Sequence, residues 1–381
     1  MKAVRSKKDI LTPGKCIVYA CCLVMAMIIG VLISIYHYVE PVKDLGTWRF
    51  FSKQMSRSMI LDGPSLRYLI VPLFLVIVLI LSDIIFSAFV KKDSHNPIHY
   101  LLGAVLLIAG AVYVQRTITN YIRERNIASV RNGICGEQVI IHAGGFIRVE
   151  PDGPEYSYSN SMDALVNGYS AGNHYTELDF ILSADDHLIC SHHDDMEKEV
   201  WAVGLDATEP LTRDAFLNEK VYGAFQTMDI EMLADYMREH EDLYIITDIK
   251  SDVLSNTHGC AIIKDTCPDL IDRFIIQIYH EHEYEEVAAL GFPYIIYTLY
   301  AATEKERAPE AVAAAAKNHE LVGITFWSFW VDDWDYFSAL LATDVPLFVH
   351  TVNNPEEMSL RLEQGVSAIY TDLTVFPHLD R

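Results

Sequence analysis

Three acidic residues and two histidines in the second half of the chain carry the spacing of a catalytic centre. Glu177 and Asp179 stand two apart in a run of strand-forming residues, so both side chains leave the strand on one face. Asp248, with Lys250 two further on, closes another such run. His142 closes a third and is followed by Ala143, Gly144 and Gly145, a turn in which bare backbone can approach a ligand closely. His193-Asp194 follows a short polar turn. An all-oxygen set of Glu177, Asp179 and Asp248 suits a hard cation such as Mg²⁺ or Ca²⁺ rather than zinc. Such an ion neutralises a phosphoryl oxygen and orients an attacking hydroxyl. Two histidines titrating near neutrality suit general acid and general base, and Lys250 would add positive charge for a phosphate. A Glu-x-Asp pair alone is more often an ordinary polar strand face. The case rests on joint placement at three strand ends.

Those ends belong to a regular alternation. Apolar, β-rich runs at 138–142, 175–182, 188–192, 243–249, 273–278, 294–299, 322–326, 347–351 and 368–371 alternate with helical patterns. The helical stretches include 161–171, 230–240, 284–290, 309–319, 335–342 and 356–364. This rhythm predicts an α/β domain of the (β/α)8 TIM-barrel type over residues 137–381, a length close to the roughly 250 residues typical of such barrels. In that architecture chemistry sits at the C-terminal strand ends, where all of the residues above fall. The polar turn Leu182-Ser183-Ala184-Asp185-Asp186-His187-Leu188 joins two strand-like runs without a helix and predicts a small excursion after the second strand.

The first third is chemically different. Residues 1–136 carry 16 Lys and Arg against 7 Asp and Glu, a balance of +9, whereas residues 137–381 carry 13 against 45, a balance of −32. Nearly charge-free apolar runs at 16–39, 69–90 and 98–114 predict three transmembrane helices, since about 20 apolar residues cross the hydrocarbon. The first run is too long for a signal peptide and lacks a clear cleavage site. If the basic N-terminus stays inside, three crossings make a multi-pass cell-membrane protein with an extracytoplasmic C-terminal domain. The acidity of that domain argues against nucleic acid as a partner. Seven cysteines without a CxxC pair read as unpaired structural thiols, in preference to a Cys260–Cys267 bridge.

The motifs resemble those of the glycerophosphodiester phosphodiesterases, whose pattern is His-Arg-Gly, Glu-x-Asp, His-Asp and Glu-x-Lys. Here they read His142-Ala143-Gly144, Glu177-Leu178-Asp179, His193-Asp194 and Asp248-Ile249-Lys250. Asn160-Ser161-Met162-Asp163-Ala164 stands where the family has Glu-Asn-Thr-x-x-Ala, and Ser183-Ala184-Asp185-Asp186-His187 where it has its Thr-x-Asp-Gly turn. Val349-His350-Thr351-Val352-Asn353 and the run from Gly365 to Asp372 are similar to its Trp-Thr-Val-Asn and Gly-Val-Asp-x-Ile-x-Thr-Asp. The resemblance spans residues 138–375. It implies hydrolysis of a glycerophosphodiester, or a related membrane-associated glycerophospholipid-type substrate, to glycerol 3-phosphate and an alcohol. It further implies His142 and His193 as the acid–base pair, Glu177, Asp179 and Asp248 as the holders of a divalent cation, and Lys250 as an assisting charge. It also selects His193 over its neighbour His192, because the family's histidine precedes an aspartate.

Two departures affect the expected chemistry. Asp248 is a shortened form of the family's glutamate, familiar from the sphingomyelinase D relatives. Ala143 replaces an arginine that contacts phosphate, so no bidentate donor remains there. Two alternatives therefore stand beside hydrolysis: a lyase that stops at a cyclic phosphate, and a barrel without turnover that binds a phosphorylated ligand. His280-Glu281-His282-Glu283 reads as a solvated helix start in preference to an auxiliary metal site. The aromatic cluster of Phe326, Trp327, Phe329, Trp330 and Trp334 suits either core packing or contact with a lipid or glycerol moiety.

Overall fold

The computed structural model of the chain describes residues 123–194, 199–200, 211–249 and 255–375, with only the backbone at 193–194 and 199–200. The apolar runs at 16–39, 69–90 and 98–114 lie outside these residues. Among those described, no helix is long and apolar enough to cross a membrane. The chain divides into two compact units, Met1–Glu124 and Arg125–Arg381. The second holds the barrel.

Its strands are β1 (Val139–Ile141), β2 (Tyr175–Leu182), β3 (Tyr244–Asp248), β4 (Phe274–Ile278), β5 (Tyr294–Thr298), β6 (Gly323–Trp327), β7 (Leu347–His350) and β8 (Ala368–Thr371). Each pairs in parallel with the next. β8 returns to β1 with Ile369 opposite Val139, and Ile141 of β1 lies opposite Thr176 of β2, so the sheet closes. The result is an eight-stranded parallel barrel. Strands buried on both faces read as near-continuous apolar runs, as in Phe274-Ile275-Ile276-Gln277-Ile278 of β4. The expected excursion after β2 is an antiparallel strand, Leu188–Cys190, hydrogen-bonded along β2 outside the barrel.

The helices are α1 (Met162–Ser170), α2 (Arg213–Leu217), α3 (Ile230–Glu239), α4 (Asn256–Thr266), α5 (Glu283–Leu290), α6 (Pro309–Asn318), α7 (Trp334–Leu341) and α8 (Pro355–Glu363). Side-chain caps set where several of them begin. Ser161 accepts from the Ala164 amide, Asp229 from Met232, Ser255 from His258, Asp333 from Tyr336, and Asn354 from Glu356 and Glu357. After β3, β6 and β7 the chain turns into a helix within a few residues of the rim, whereas longer excursions follow β1 and β2.

Alternation along the strands separates two cores. Leu178, Ile245, Ile276, Ile295 and Val349 point outward into one cluster with the helices. Ile140, Tyr175, Ile246, Ile275 and Phe348 point inward and fill the floor. Gly323 is the inward residue that makes room, since a Cβ there would lie 2.1 Å from the Phe348 ring. Residues 123–137 form a helix whose Ile127, Val130 and Ile134, spaced to share one face, close the N-terminal end of the barrel against that floor. Arg131 in this helix donates to the Leu321 carbonyl at 2.8 Å.

The helix over 123–137, α2 and α4 had no counterpart in the helical patterns. Neither did the short hairpins Ile147–Arg148 with Glu155–Tyr156, His193–Asp194 with Glu199–Val200, and Lys220–Val221 with Phe225–Gln226, whose two-residue arms are too brief to leave a periodic signal.

Candidate active site

Above the apolar floor the inner face turns polar. On β2 the inward series runs Tyr175, Glu177, Asp179, and register places Asp248 of β3 directly opposite Asp179. The three carboxylates offer ligand atoms that all lie within 4.8 Å of one another, and all three residues are buried. Each is aimed by a neutral donor. The Ala143 amide donates to Glu177 Oε2 at 2.8 Å. Asn160 donates through Nδ2 to Asp179 Oδ2 at 2.9 Å, and its Oδ1 accepts from the Asp179 amide at 3.0 Å. Asp248 accepts from the hydroxyl of Tyr279 through Oδ1 and from that of Tyr300 through Oδ2, the latter at 3.0 Å.

The Ala143 amide reaches Glu177 because the turn after β1 is left-handed. Ala143, Gly144 and Gly145 have φ of 49°, 83° and 88°. Glycine takes that conformation without steric cost, whereas Ala143 holds it with a fully buried methyl group.

His142 stands beside the carboxylates with Nδ1 bonded to Asp372 Oδ1 at 2.8 Å. Asp372 is itself fixed by Asn353, whose Nδ2 donates to Oδ2 at 2.6 Å and whose Oδ1 accepts from the Asp372 amide at 2.8 Å. Burial alone would lower the His142 pKa. The Asp372 hydrogen bond and the charges of Glu177, Asp372 and Asp179 outweigh it and raise the value to about 9. The Glu177 carboxyl is pushed above the usual carboxylate range, first by burial and then by the charge of Asp179. Three buried carboxylates this close repel one another, and that cost falls when a cation sits among them. The donor set, all oxygen, fits a hard divalent ion.

Of the six residues singled out by type and spacing, His142, Glu177, Asp179 and Asp248 come together at the C-terminal rim. Lys250 and the His193 side chain lie outside the described residues; the His193 backbone opens a two-residue strand paired with Glu199–Val200. His192, set aside in favour of His193, has its ring 5.5 Å from that of Tyr158, and Tyr158 packs at 4.6 Å on His142. Tyr158, Asn160, Tyr279, Tyr300, Asn353 and Asp372 are site residues to which the sequence reading gave no role. The spacing-two rule that found Glu177 and Asp179 extends to three of them. Tyr279 continues the inner face of β4 past Gln277, Tyr300 that of β5 past Thr298, and Asp372 that of β8 past Tyr370.

The rest of the rim is aromatic. Trp327 at the end of β6 stacks on His350 at 4.6 Å with 12° between the rings, and Tyr300 packs on the same imidazole at 4.7 Å. Phe326 is core, Trp330 is half-buried on it, and Trp327, Phe329 and Trp334 are exposed. His280 bonds Glu306 and His319 bonds Glu281, away from the acidic triad. Cys135, Cys190, Cys260 and Cys267 are free thiols.

A closed parallel barrel whose C-terminal rim gathers buried carboxylates around a charged histidine defines an enzyme of the barrel class. The family model of the glycerophosphoryl diester phosphodiesterases matches residues 152–375, more than half of the sequence, and the chain belongs to that family. The enzyme class is accordingly that of a phosphoric diester hydrolase. The match starts beyond the first motif, His142-Ala143-Gly144. A comparison with curated proteins gives no match. Among solved structures, a proposed glycerophosphodiester phosphodiesterase from Galdieria sulphuraria shares the fold at a TM-score of 0.50 and 15% identity, over 62% of this chain and 93% of that one. The glycerophosphodiester phosphodiesterase of Thermotoga maritima aligns at a TM-score of 0.45 and 16% identity, covering 62% and 95%. An Oleispira antarctica phosphodiesterase, solved in complex with the product sn-glycerol-3-phosphate, aligns at 0.46 and 16%, covering 62% and 92%.

Proposed function

We propose that the barrel hydrolyses a membrane-associated glycerophosphodiester to glycerol 3-phosphate and an alcohol with the help of a divalent cation, Mg²⁺ or Ca²⁺. The observation that carries this reading is the convergence of Glu177, Asp179 and Asp248 within 4.8 Å, beside a histidine held by Asp372. The three carboxylates would hold the cation. Once bound, it would neutralise charge on the phosphoryl oxygens.

The protein's own groups then divide the proton work. His142 has Nδ1 tied to Asp372, which leaves Nε2 for transfer. The Asp372 hydrogen bond favours the protonated form of His142, which serves as the general acid. His193 serves as the base. It takes a proton from water as the water oxygen bonds to phosphorus, the bond from phosphorus to the alcohol oxygen breaks, and His142 gives its proton to that leaving oxygen. Lys250 supplies positive charge to the phosphate. The apolar runs at 16–39, 69–90 and 98–114 would hold the enzyme in the cell membrane with the barrel outside the cytoplasm.

The test is turnover of glycerophosphocholine and glycerophosphoglycerol by the full-length protein, with Mg²⁺ or Ca²⁺ and after chelation. The reading expects glycerol 3-phosphate, lost on chelation and in His142→Ala, His193→Ala and Asp179→Asn. Undiminished turnover in chelator or in both histidine variants would sink it. A cyclic phosphate detected by phosphorus NMR would replace hydrolysis with the lyase route. Cation and glycerol 3-phosphate binding without turnover would favour the receptor reading. A C-terminal epitope reached by antibody in intact cells supports the external barrel, and protection until the cells are permeabilised counts against it.

A further inference from the structure

The residue before the Ser159-Asn160-Ser161 motif is in a conformation that bulky side chains rarely adopt. Tyr158 has φ of 54°, a left-handed value that brings its Cβ against its own backbone. Such outliers persist only where the surroundings over-determine them, and they cluster at functional sites. Here both flanks are pinned. On one side Tyr222 donates its hydroxyl to the Ser157 carbonyl at 2.7 Å, and the ring of Tyr156 packs on Tyr222 at 4.7 Å. On the other, the Asn160 amide donates to the Ala143 carbonyl at 3.1 Å while the Asn160 side chain clamps Asp179. The segment is thereby bolted to the first motif, over the turn that begins with His142.

The ring of Tyr158 is placed accordingly. It stands perpendicular to the His142 imidazole at 4.6 Å and nearly perpendicular to the His192 imidazole at 5.5 Å, both within the range of favourable edge-to-face packing. The Nδ1 bond to Asp372 anchors one edge of the His142 ring. The Tyr158 ring adds a contact perpendicular to the imidazole that opposes tilting about that bond. In the family's usual first motif an arginine follows the histidine, whereas here the position holds the fully buried methyl of Ala143.

We propose that Tyr158 is a positioning residue of the active site: wedged between His142 and His192, its ring fixes the His142 imidazole for proton transfer. This rests on the acid role given to His142 above. The task is assigned to the ring, so phenylalanine, which keeps the ring, is the conservative variant. Because orientation of an acid matters in the transition state and little to ground-state binding, the effect falls on kcat rather than on KM.

The full-length protein with glycerophosphocholine decides the matter. Tyr158→Ala and Tyr158→Leu are expected to lose about tenfold or more in kcat with KM changed by less than about threefold, while Tyr158→Phe stays within about twofold of the parent. Leucine keeps bulk without a ring, so it covers the case in which alanine fails to fold, which thermal unfolding reports. Parental kcat in Tyr158→Leu overturns the proposal, as does a Phe variant as poor as leucine. A change confined to KM overturns it too. His142→Ala, assayed alongside, separates the two readings. If it keeps parental turnover the acid role itself is wrong; if it is inactive while Tyr158→Leu is parental, only the positioning role falls.

Discussion

Tyr279 donates its hydroxyl to Asp248 from the neighbouring strand end, and Tyr300, one strand further on, donates to the other oxygen of the same carboxylate. Asp248 is one methylene shorter than the glutamate usual in this family. The two phenols meet it from the inner faces of β4 and β5 and hold it opposite Asp179 across the β2–β3 register. Tyr279 is buried, and its phenol is held far above the ordinary tyrosine range, by burial first and then by the charge of Asp248. It therefore stays a donor at every pH of interest.

Removing that donor should loosen the acidic triad without emptying it. In Tyr279→Phe, Asp248 Oδ1 loses the Tyr279 hydroxyl while Tyr300 still donates to Oδ2. Groups that orient metal ligands typically contribute about 10- to 100-fold in affinity or activity. Calorimetric titration with Mg²⁺ or Ca²⁺ should show a loss at the low end of that range. Unchanged affinity would mean that Asp248 needs no second support.

Asp372→Asn tests the electrostatics of His142. The substitution keeps the shape of the hydrogen bond but removes a charge that helps raise the histidine to about 9. With less opposing the effect of burial, the pKa falls, and the fraction of His142 carrying a proton at pH 8 falls with it. The alkaline limb of the pH–rate profile should move to lower pH in the variant, so activity at pH 8 drops more than activity at pH 6. A limb that stays in place would remove His142 as its source.

Glutamate and aspartate two apart on a strand betrayed the inner face of β2 because acidic side chains are rare in buried strands. The same inner face on β4 and β5 ends in tyrosine, a residue equally at home in a core, so Tyr279 and Tyr300 carried no chemical signal of their own. Asn160 fell within a recognised motif, but its clamp on Asp179 spans 19 residues and no local pattern encodes it. Tyr158 was illegible because it follows a hairpin of two-residue strands, which leave no period to read. The barrel itself was legible from its strand–helix rhythm. Its closure through Val139 and Ile369 is a pairing across most of the domain that no local pattern encodes.

Gly323→Ala tests the floor. The added Cβ would lie 2.1 Å from the Phe348 ring, inside a layer bounded by Ile296 and the helix over 123–137, where the ring has no empty space to enter. Overpacking of this kind costs about 1–3 kcal/mol. Thermal unfolding should show a lower midpoint, with cation affinity at the rim little changed. An unaltered midpoint would mean that the floor can shift to accept a methyl group.

The pH dependence of stability should change sign of slope on no account between pH 5 and 9 in chelator, because two groups push the same way. Glu177 titrates near 4.5 when unfolded and is raised to about 8 in the fold, chiefly by burial and by Asp179. Across that window the native state binds more protons than the unfolded chain, so stability falls as pH rises. His142 is raised from 6.5 to about 9; its contribution is fully present below pH 6.5 and is lost as pH climbs through 9. A divalent cation reverses the Glu177 part, since it binds the ionised triad and stabilises the fold by about 2.7 kcal/mol at a concentration 100 times its Kd. The midpoint of thermal unfolding should therefore decline steadily from pH 5 to 9 in chelator, and the gain from added Mg²⁺ or Ca²⁺ should grow with pH. A midpoint that rises across this range in chelator, or a cation effect that is larger at pH 5 than at pH 8, would show that Glu177 and its neighbours are ionised in the fold without an ion to hold them.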